Sequence, residues 1–125
     1  MLIIIRGVPG SGKSTMARTL VSMGTAEVHM EADQYFYKDG EYTYTPSLIK
    51  DAHEWCFNQT KAALLKGKSV VVSNTFIRKW EYERYVNLAE ELGLSFKILV
   101  ANGGYKNLHG VPQEKVEQMK KNFEA

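Results

Sequence analysis

Residues 2–15, Leu2-Ile3-Ile4-Ile5-Arg6-Gly7-Val8-Pro9-Gly10-Ser11-Gly12-Lys13-Ser14-Thr15, decide the fold. The run Leu2 to Ile5 is continuously apolar and mostly β-branched, as a strand covered on both faces should be. Gly7 to Ser14 then fit G-x-x-x-x-G-K-[ST], after a strand and before a helix, which is the context that pattern requires. A loop of this kind wraps successive backbone N–H groups around a phosphate, and the next helix adds partial positive charge. The expected ligand is a nucleoside triphosphate, ATP with Mg²⁺. Lys13 should bridge the β- and γ-phosphates, and Ser14 should ligate the metal. Gly10 and Gly12 let the backbone approach without a Cβ clash. Gly7, Pro9, Ser11 and Thr15 complete the nucleotide-binding segment, Thr15 more as a first-turn helix residue than as a ligand. The plain alternative is a glycine-rich turn that happens to precede a lysine.

Length and composition bound the class. A chain of 125 residues predicts one domain with a stable core. Its 44% hydrophobic and 24% charged residues are ordinary for a globular protein. The net charge of +2 comes without a Lys/Arg run, which argues against a polybasic nucleic-acid or membrane patch. Cys56 is the single cysteine, so no internal disulfide framework exists, and a reducing, cytoplasmic setting fits. Cys56 follows Trp55 inside a helical pattern and reads as a buried core thiol. Leu2 to Ile5 is too short for a signal h-region or a membrane span, so no membrane partner is expected.

Beyond the loop the pattern alternates. A helix is predicted from Lys13 to Met23 and a short strand over Ala26 to Met30. An aromatic, polar loop over Tyr35 to Thr45 turns at Asp39-Gly40. Pro46 opens a second helix at its first position, with Ile49, Ala52, Cys56, Ala63 and Leu64 as its apolar stripe. Ser69 to Ser73 is a third strand. A helix over Arg78 to Leu92 should turn Tyr85, Leu88, Ala89 and Leu92 inward. Ser95 to Ala101 is the fourth strand, and Pro112 opens a last helix with Val116, Met119 and Phe123 on one face. Strands alternating with helices imply right-handed βαβ units and a parallel sheet, an α/β fold with ligands beyond the carboxyl ends of the strands. The glycine loop, Asp33 and Asn74-Thr75 should converge there.

A phosphate donor needs an acceptor, and its hydroxyl needs a carboxylate to orient it or take its proton. Asp33, after the second strand, is the strongest candidate, and it also lies near the expected metal. The alternative is an aspartate that caps a short helical turn. Glu31 is a weaker rival base, read as a solvated strand-end charge. The end of the third strand, where P-loop enzymes often place a magnesium-orienting aspartate, carries Ser73-Asn74 instead. Asn74 and Thr75 are candidates for the acceptor side; strand-end hydrogen bonding is the alternative. His53 reads as a packed helix histidine more than as a base. His109, in the glycine-flanked loop before Pro112, is a candidate for reaching the nucleotide. Tyr35, Phe36, Tyr37, Tyr42 and Tyr44 could stack a base or pack the loop onto the domain.

The P-loop, Ala32-Asp33-Gln34-Tyr35-Phe36, Ala52-His53-Glu54-Trp55, Ser73-Asn74-Thr75 and His109-Gly110-Val111-Pro112, in that order, give the chain a resemblance. It resembles AAA_33-type P-loop kinases, similar to the kinase domain of bacteriophage polynucleotide 5′-kinase and to small phage and bacterial ATP-binding proteins. The resemblance implies a three-layer P-loop fold with a four-stranded parallel sheet in the order 2-3-1-4. It implies that Asp33 matches the general base and Thr75 an acceptor-side residue. It also implies a phage-like protein working in a host cytoplasm. Two departures stand out. Phe36 occupies the place of an acceptor-side arginine, and the lid is short, with Lys106 as the nearest match to its phosphate-holding arginine. Lys106 is a weaker bidentate clamp than arginine. The leading expectation is a kinase that moves the γ-phosphate to a hydroxyl, either a polynucleotide 5′ end or a small molecule such as a nucleoside. The other class is a non-catalytic ATP-binding module.

Overall fold

The computed structural model describes residues 1–101 and 113–124. In chain order the elements are β1 (Leu2–Arg6), α1 (Lys13–Ser22), β2 (Val28–Met30) and a 3₁₀ turn over Ala32–Phe36. A hairpin of β3 (Tyr37–Lys38) and β4 (Glu41–Tyr42) comes next, then a 3₁₀ turn over Pro46–Leu48 and α2 (Ile49–Leu65). The rest is β5 (Val70–Asn74), α3 (Lys79–Glu91), β6 (Phe96–Val100) and α4 (Gln113–Asn122).

Four strands form one parallel sheet in the order β2-β5-β1-β6. Counting only these strands along the chain, that is the 2-3-1-4 order expected. All five residues of β1 are buried, as are all five of β5, because both strands are central and covered on both faces. Alternation divides the core. Leu2, Ile4, Val70 and Val72 face the side of Ala52, Cys56, Leu64 and Leu88 from α2 and α3. Ile3, Ile5 and Val71 face the side of Ala17 from α1. The sheet is therefore the middle of three layers.

Several element boundaries differ from the sequence pattern for physical reasons. The aromatic loop contains the β3–β4 hairpin, turning through Asp39 and Gly40 with φ of 50° and 81°. Pro46 opens a 3₁₀ turn, and α2 begins at Ile49. The inward row of α2 is Ala52, Cys56, Thr60 and Leu64; Ile49 lies ahead of it on the first turn and is 38% exposed. The last strand is an edge strand, so Ile98 and Val100 stay partly in water. On the predicted apolar face of the last helix, Met119 is half-buried, and Phe123 comes just after the helix and lies against Arg6.

Burial at the centre and exposure at the edge set different costs for losing the same side chain. Ile4→Ala is expected to lower unfolding free energy by about 2–5 kcal/mol. Ile98→Ala should cost less than about 1 kcal/mol. Denaturant midpoints of the two variants, at unchanged slope, check the contrast.

Candidate phosphate-binding and carboxylate site

The glycine loop leaves β1 and enters α1 through tight backbone. Gly10 and Gly12 have φ of 84° and 90°, the left-handed region that favours glycine. Gly7 is constrained differently: a Cβ there would collide with Ser11 Oγ and sit 2.7 Å from the carbonyl oxygen of Ala101. Its N–H donates to the Thr75 carbonyl at 3.2 Å, and the Ala101 N–H donates to the Arg6 carbonyl at 2.7 Å. The loop is thus pinned between the ends of β5 and β6. Lys13 opens α1 and is 8% exposed. Burial pushes its ammonium pKa down, and the nearby Glu31 and Asp33 carboxylates pull it back up. A buried ammonium at the start of a helix, beside a loop of N–H groups, is suited to a phosphate.

Glu31 is not the solvated strand-end charge that the sequence suggests. Its side chain is 14% exposed, and its Oε2 gathers three polar neighbours. Ser14 Oγ donates to Oε2 in a short hydrogen bond, and Ser73 Oγ donates to the same atom at 2.9 Å. His29 Nε2 lies 3.6 Å from Oε2 and 2.8 Å from Ser73 Oγ. Since the Ser73 proton goes to Glu31, His29 Nε2–H donates to Ser73. Burial alone would push the Glu31 carboxyl pKa up; the adjacent His29 ring and the hydrogen bonds from Ser14 and Ser73 outweigh it and hold it at about 2. The group is an anion at neutral pH. A serine hydroxyl joined to an ionised carboxylate is a hard-oxygen donor pair, and Mg²⁺ takes few protein oxygens beside phosphates and water. The residues present fit that ion. Among the described residues no cluster of three or more His, Cys, Asp or Glu side chains offers a larger metal cage.

Asp33 lies in the 3₁₀ turn two residues on and accepts a hydrogen bond from Tyr42 Oη at 3.1 Å. Burial first, then the Asp33 charge and hydrogen bond, drive the Tyr42 pKa upward, so the phenol keeps its proton. Asn74 uses both ends of its amide: Oδ1 accepts from the Ala32 N–H at 2.9 Å, and Nδ2 contacts Cys56 Sγ at 3.6 Å. It fixes the backbone between the two carboxylates. Thr75 is half-buried and lends its carbonyl to Gly7. His53 is half-buried on α2; burial lowers its pKa most, and the charges of Glu81 and Asp33 raise it. The aromatic cluster packs inward more than outward. Phe36 is 3% exposed and touches Tyr42 and Tyr44, and Tyr35 packs on Trp55; Tyr37 and Tyr44 remain exposed. Lys106 and His109 lie outside the described residues.

Arg6 reads in the sequence only as the end of a strand. It is 2% exposed, and its guanidinium donates to the carbonyls of Phe76 and Ile77 at 2.9–3.2 Å between the rings of Tyr82 and Phe123. Phe76 has φ of 46°, unfavourable for a bulky residue, and Arg6 holds that turn. A charged residue closing an apolar strand before the glycine loop is the available signal.

The AAA_33 family, an AAA domain, matches residues 2–108. The chain is 33% identical to NEDD4-binding protein 2 of Homo sapiens over 136 residues, 99% of this chain. It spans only 8% of that protein's length. Among solved structures, Kti12 of Chaetomium thermophilum in complex with ADP-AlF3 superposes with a TM-score of 0.66 at 16% identity, covering 100% of this chain and 81% of that one. The Pnkp1/Rnl/Hen1 complex gives 0.65 at 20% identity, over 94% of this chain and 38% of that one. A gluconokinase from Sinorhizobium meliloti gives 0.63 at 16% identity, over 98% and 74%. These likenesses share the P-loop kinase fold. Among the described residues no helix is long and apolar enough to cross a membrane.

Glu31 also sets an acid response. Its pKa falls from 4.5 to about 2 on folding, so the stability it contributes is complete above about pH 4.5 and is lost as pH drops toward 2. Glu31→Gln should flatten that part of the stability–pH curve, measured by urea unfolding from pH 2 to 6. A variant curve parallel to that of the unmodified chain contradicts the assignment.

Proposed function

The chain belongs to the AAA_33 family of AAA domains, and on that premise we propose that it is an ATP-dependent phosphotransferase, moving the γ-phosphate of ATP·Mg²⁺ to an acceptor hydroxyl. The observation that carries this reading is the convergence of a buried Lys13, an ionised Glu31 bonded to Ser14, and Asp33 at one edge of the parallel sheet. A binding loop alone would need the first of these and not the last. The nucleotide bound to Kti12 supports an adenine nucleotide as donor.

Each residue has a chemical task. The N–H groups of Gly10 to Ser14 and the Lys13 ammonium hold the phosphates and take up charge that develops as the phosphoryl group moves. Bound Mg²⁺ supplies neutralisation of charge on the β- and γ-phosphate oxygens. Asp33 accepts the proton of the attacking hydroxyl. The acceptor oxygen bonds to the γ-phosphorus, the bond to the β,γ-bridging oxygen breaks, and ADP leaves. Tyr42, bonded to Asp33, fixes the carboxylate's direction. Lys106 and His109 act on the triphosphate side of a short lid in one kinase-like domain.

The acceptor we favour is a polynucleotide 5′-hydroxyl, in line with the resemblance and the Pnkp1 likeness. A nucleoside or other small molecule is the competing acceptor, supported by the gluconokinase likeness and by a net charge of only +2. A non-catalytic ATP-binding module is the reading favoured by Ser73-Asn74 standing where a carboxylate is usual. Transfer of label from γ-labelled ATP to 5′-hydroxyl DNA, 5′-hydroxyl RNA and nucleosides separates the three. Asp33→Asn should lower turnover on the active acceptor by about 10²–10⁴-fold, with ATP affinity little changed. Unchanged turnover removes Asp33 as the base, and no transfer to any acceptor removes the kinase reading.

A further inference from the structure

We propose that Glu31 orients the magnesium ion of ATP·Mg²⁺, a duty transposed from the end of β5 to the end of β2, with Ser73 and His29 as positioning residues. The inference rests on the ATP·Mg²⁺ reading above and adds the residue set that makes the donor site depend on metal.

The geometry of adjacent strands carries it. P-loop enzymes hold Mg²⁺ with the loop Ser/Thr and an aspartate of a neighbouring strand. Here β5 ends in Ser73-Asn74, and neither can supply a carboxylate. Asn74 is committed to the Ala32 N–H and Cys56. Val71 faces the α1 side of the sheet, and Ser73, two residues on, shares that face. β2 lies beside β5 in parallel register, Met30 opposite Val72, so Glu31 stands next to Ser73 as the two strands end. Glu31 keeps extended backbone, φ −140° and ψ 145°, and so continues the strand.

The result is a carboxylate oxygen 2.9 Å from Ser73 Oγ and directly bonded to the Ser14 hydroxyl. Glutamate is one methylene longer than aspartate, and that extra reach lets a residue of β2 serve a place ordinarily served from β5. Ser73 keeps the position in use by donating to the relocated carboxylate, and His29 donates to Ser73. The Gln34 side chain in turn donates to the His29 carbonyl at 3.0 Å. Such outer partners tune metal affinity without touching the metal.

The test is calorimetric titration of AMPPNP into the full chain across a series of Mg²⁺ concentrations, with a metal-free series alongside. Glu31→Gln should raise the Mg²⁺ concentration for half-maximal tightening about 10–100-fold. Its metal-free AMPPNP affinity should stay equal or improve, since a negative charge beside the triphosphate is gone. Ser73→Ala should raise the midpoint by less, again sparing metal-free binding; a merely structural Ser73 would move both or neither. The transposed pair Glu31→Ser with Ser73→Asp restores a carboxylate from the neighbouring strand, and its midpoint should return to within about tenfold of the unmodified chain. An unmoved midpoint in Glu31→Gln overturns the proposal, as does failure of a folded transposed pair, one that binds metal-free AMPPNP normally, to recover. Absence of AMPPNP binding by the unmodified chain, with and without Mg²⁺, overturns the donor-site reading instead.

Discussion

The passage of the chain at Gly7 is the constraint on which the site depends. The backbone leaves the buried strand β1 and threads between the ends of β5 and β6, with Thr75 accepting from Gly7 and Ala101 donating to Arg6. No side chain fits there, because its first carbon would meet Ser11 and the Ala101 carbonyl. That passage sets where the glycine loop begins, and so where Lys13 and Ser14 stand relative to Glu31. Arg6 braces the same edge from the other face of the sheet. Its guanidinium holds the strained Phe76 turn and packs on Phe123, joining the end of β5 to the segment beyond α4.

Charge at this edge is balanced by neighbours more than by water. Lys13 loses hydration on burial, which favours its neutral form, and two carboxylates favour its charged form. Glu31 loses hydration as well, and hydrogen bonds from two serines, with the His29 ring close by, more than restore its preference for ionisation. Part of the arrangement is preorganised: the Glu31 carboxylate is already held by Ser14 and Ser73, and the Asp33 carboxylate accepts from Tyr42. Preorganised dipoles and charges need little rearrangement when charge moves, which is the larger part of what a phosphoryl-transfer site supplies.

The sequence makes some of this legible and hides the rest. The four parallel strands are readable because β1 and β5 are runs of β-branched residues and the glycine loop fixes the turn from β1 into α1; their order follows only from the family resemblance, since no residue pattern says which strands are neighbours. The core rows of α2 and α3 emerge in large part from helical spacing; Ile49 precedes the sheet-covering row, the polar Thr60 completes that row where the apolar pattern points to Ala63, and Leu92 caps α3, half-buried. Glu31 looks solvated in the sequence because its burial comes from partners 17 and 42 residues away, Ser14 and Ser73, which meet only after β2 pairs with β5. Asn74 looks like a ligand because a polar residue at a strand end reads the same whether it faces a substrate or a neighbouring backbone. Tyr42 does not show itself as a partner of Asp33 because it arrives through a hairpin of two-residue strands, too short to announce itself by alternation.

The central claim is that Lys13, Ser14 and Glu31 form one ATP-and-metal site with Asp33 facing the phosphate to be moved. A crystal structure with AMPPNP and Mn²⁺ tests it most directly, since anomalous scattering locates the metal independently of the protein. The nucleotide phosphates should lie inside the Gly7–Ser14 loop, the metal on the side of Ser14 and Glu31, and Asp33 should turn toward the γ-phosphate. Phosphates bound elsewhere, or a metal peak remote from Glu31, would contradict it.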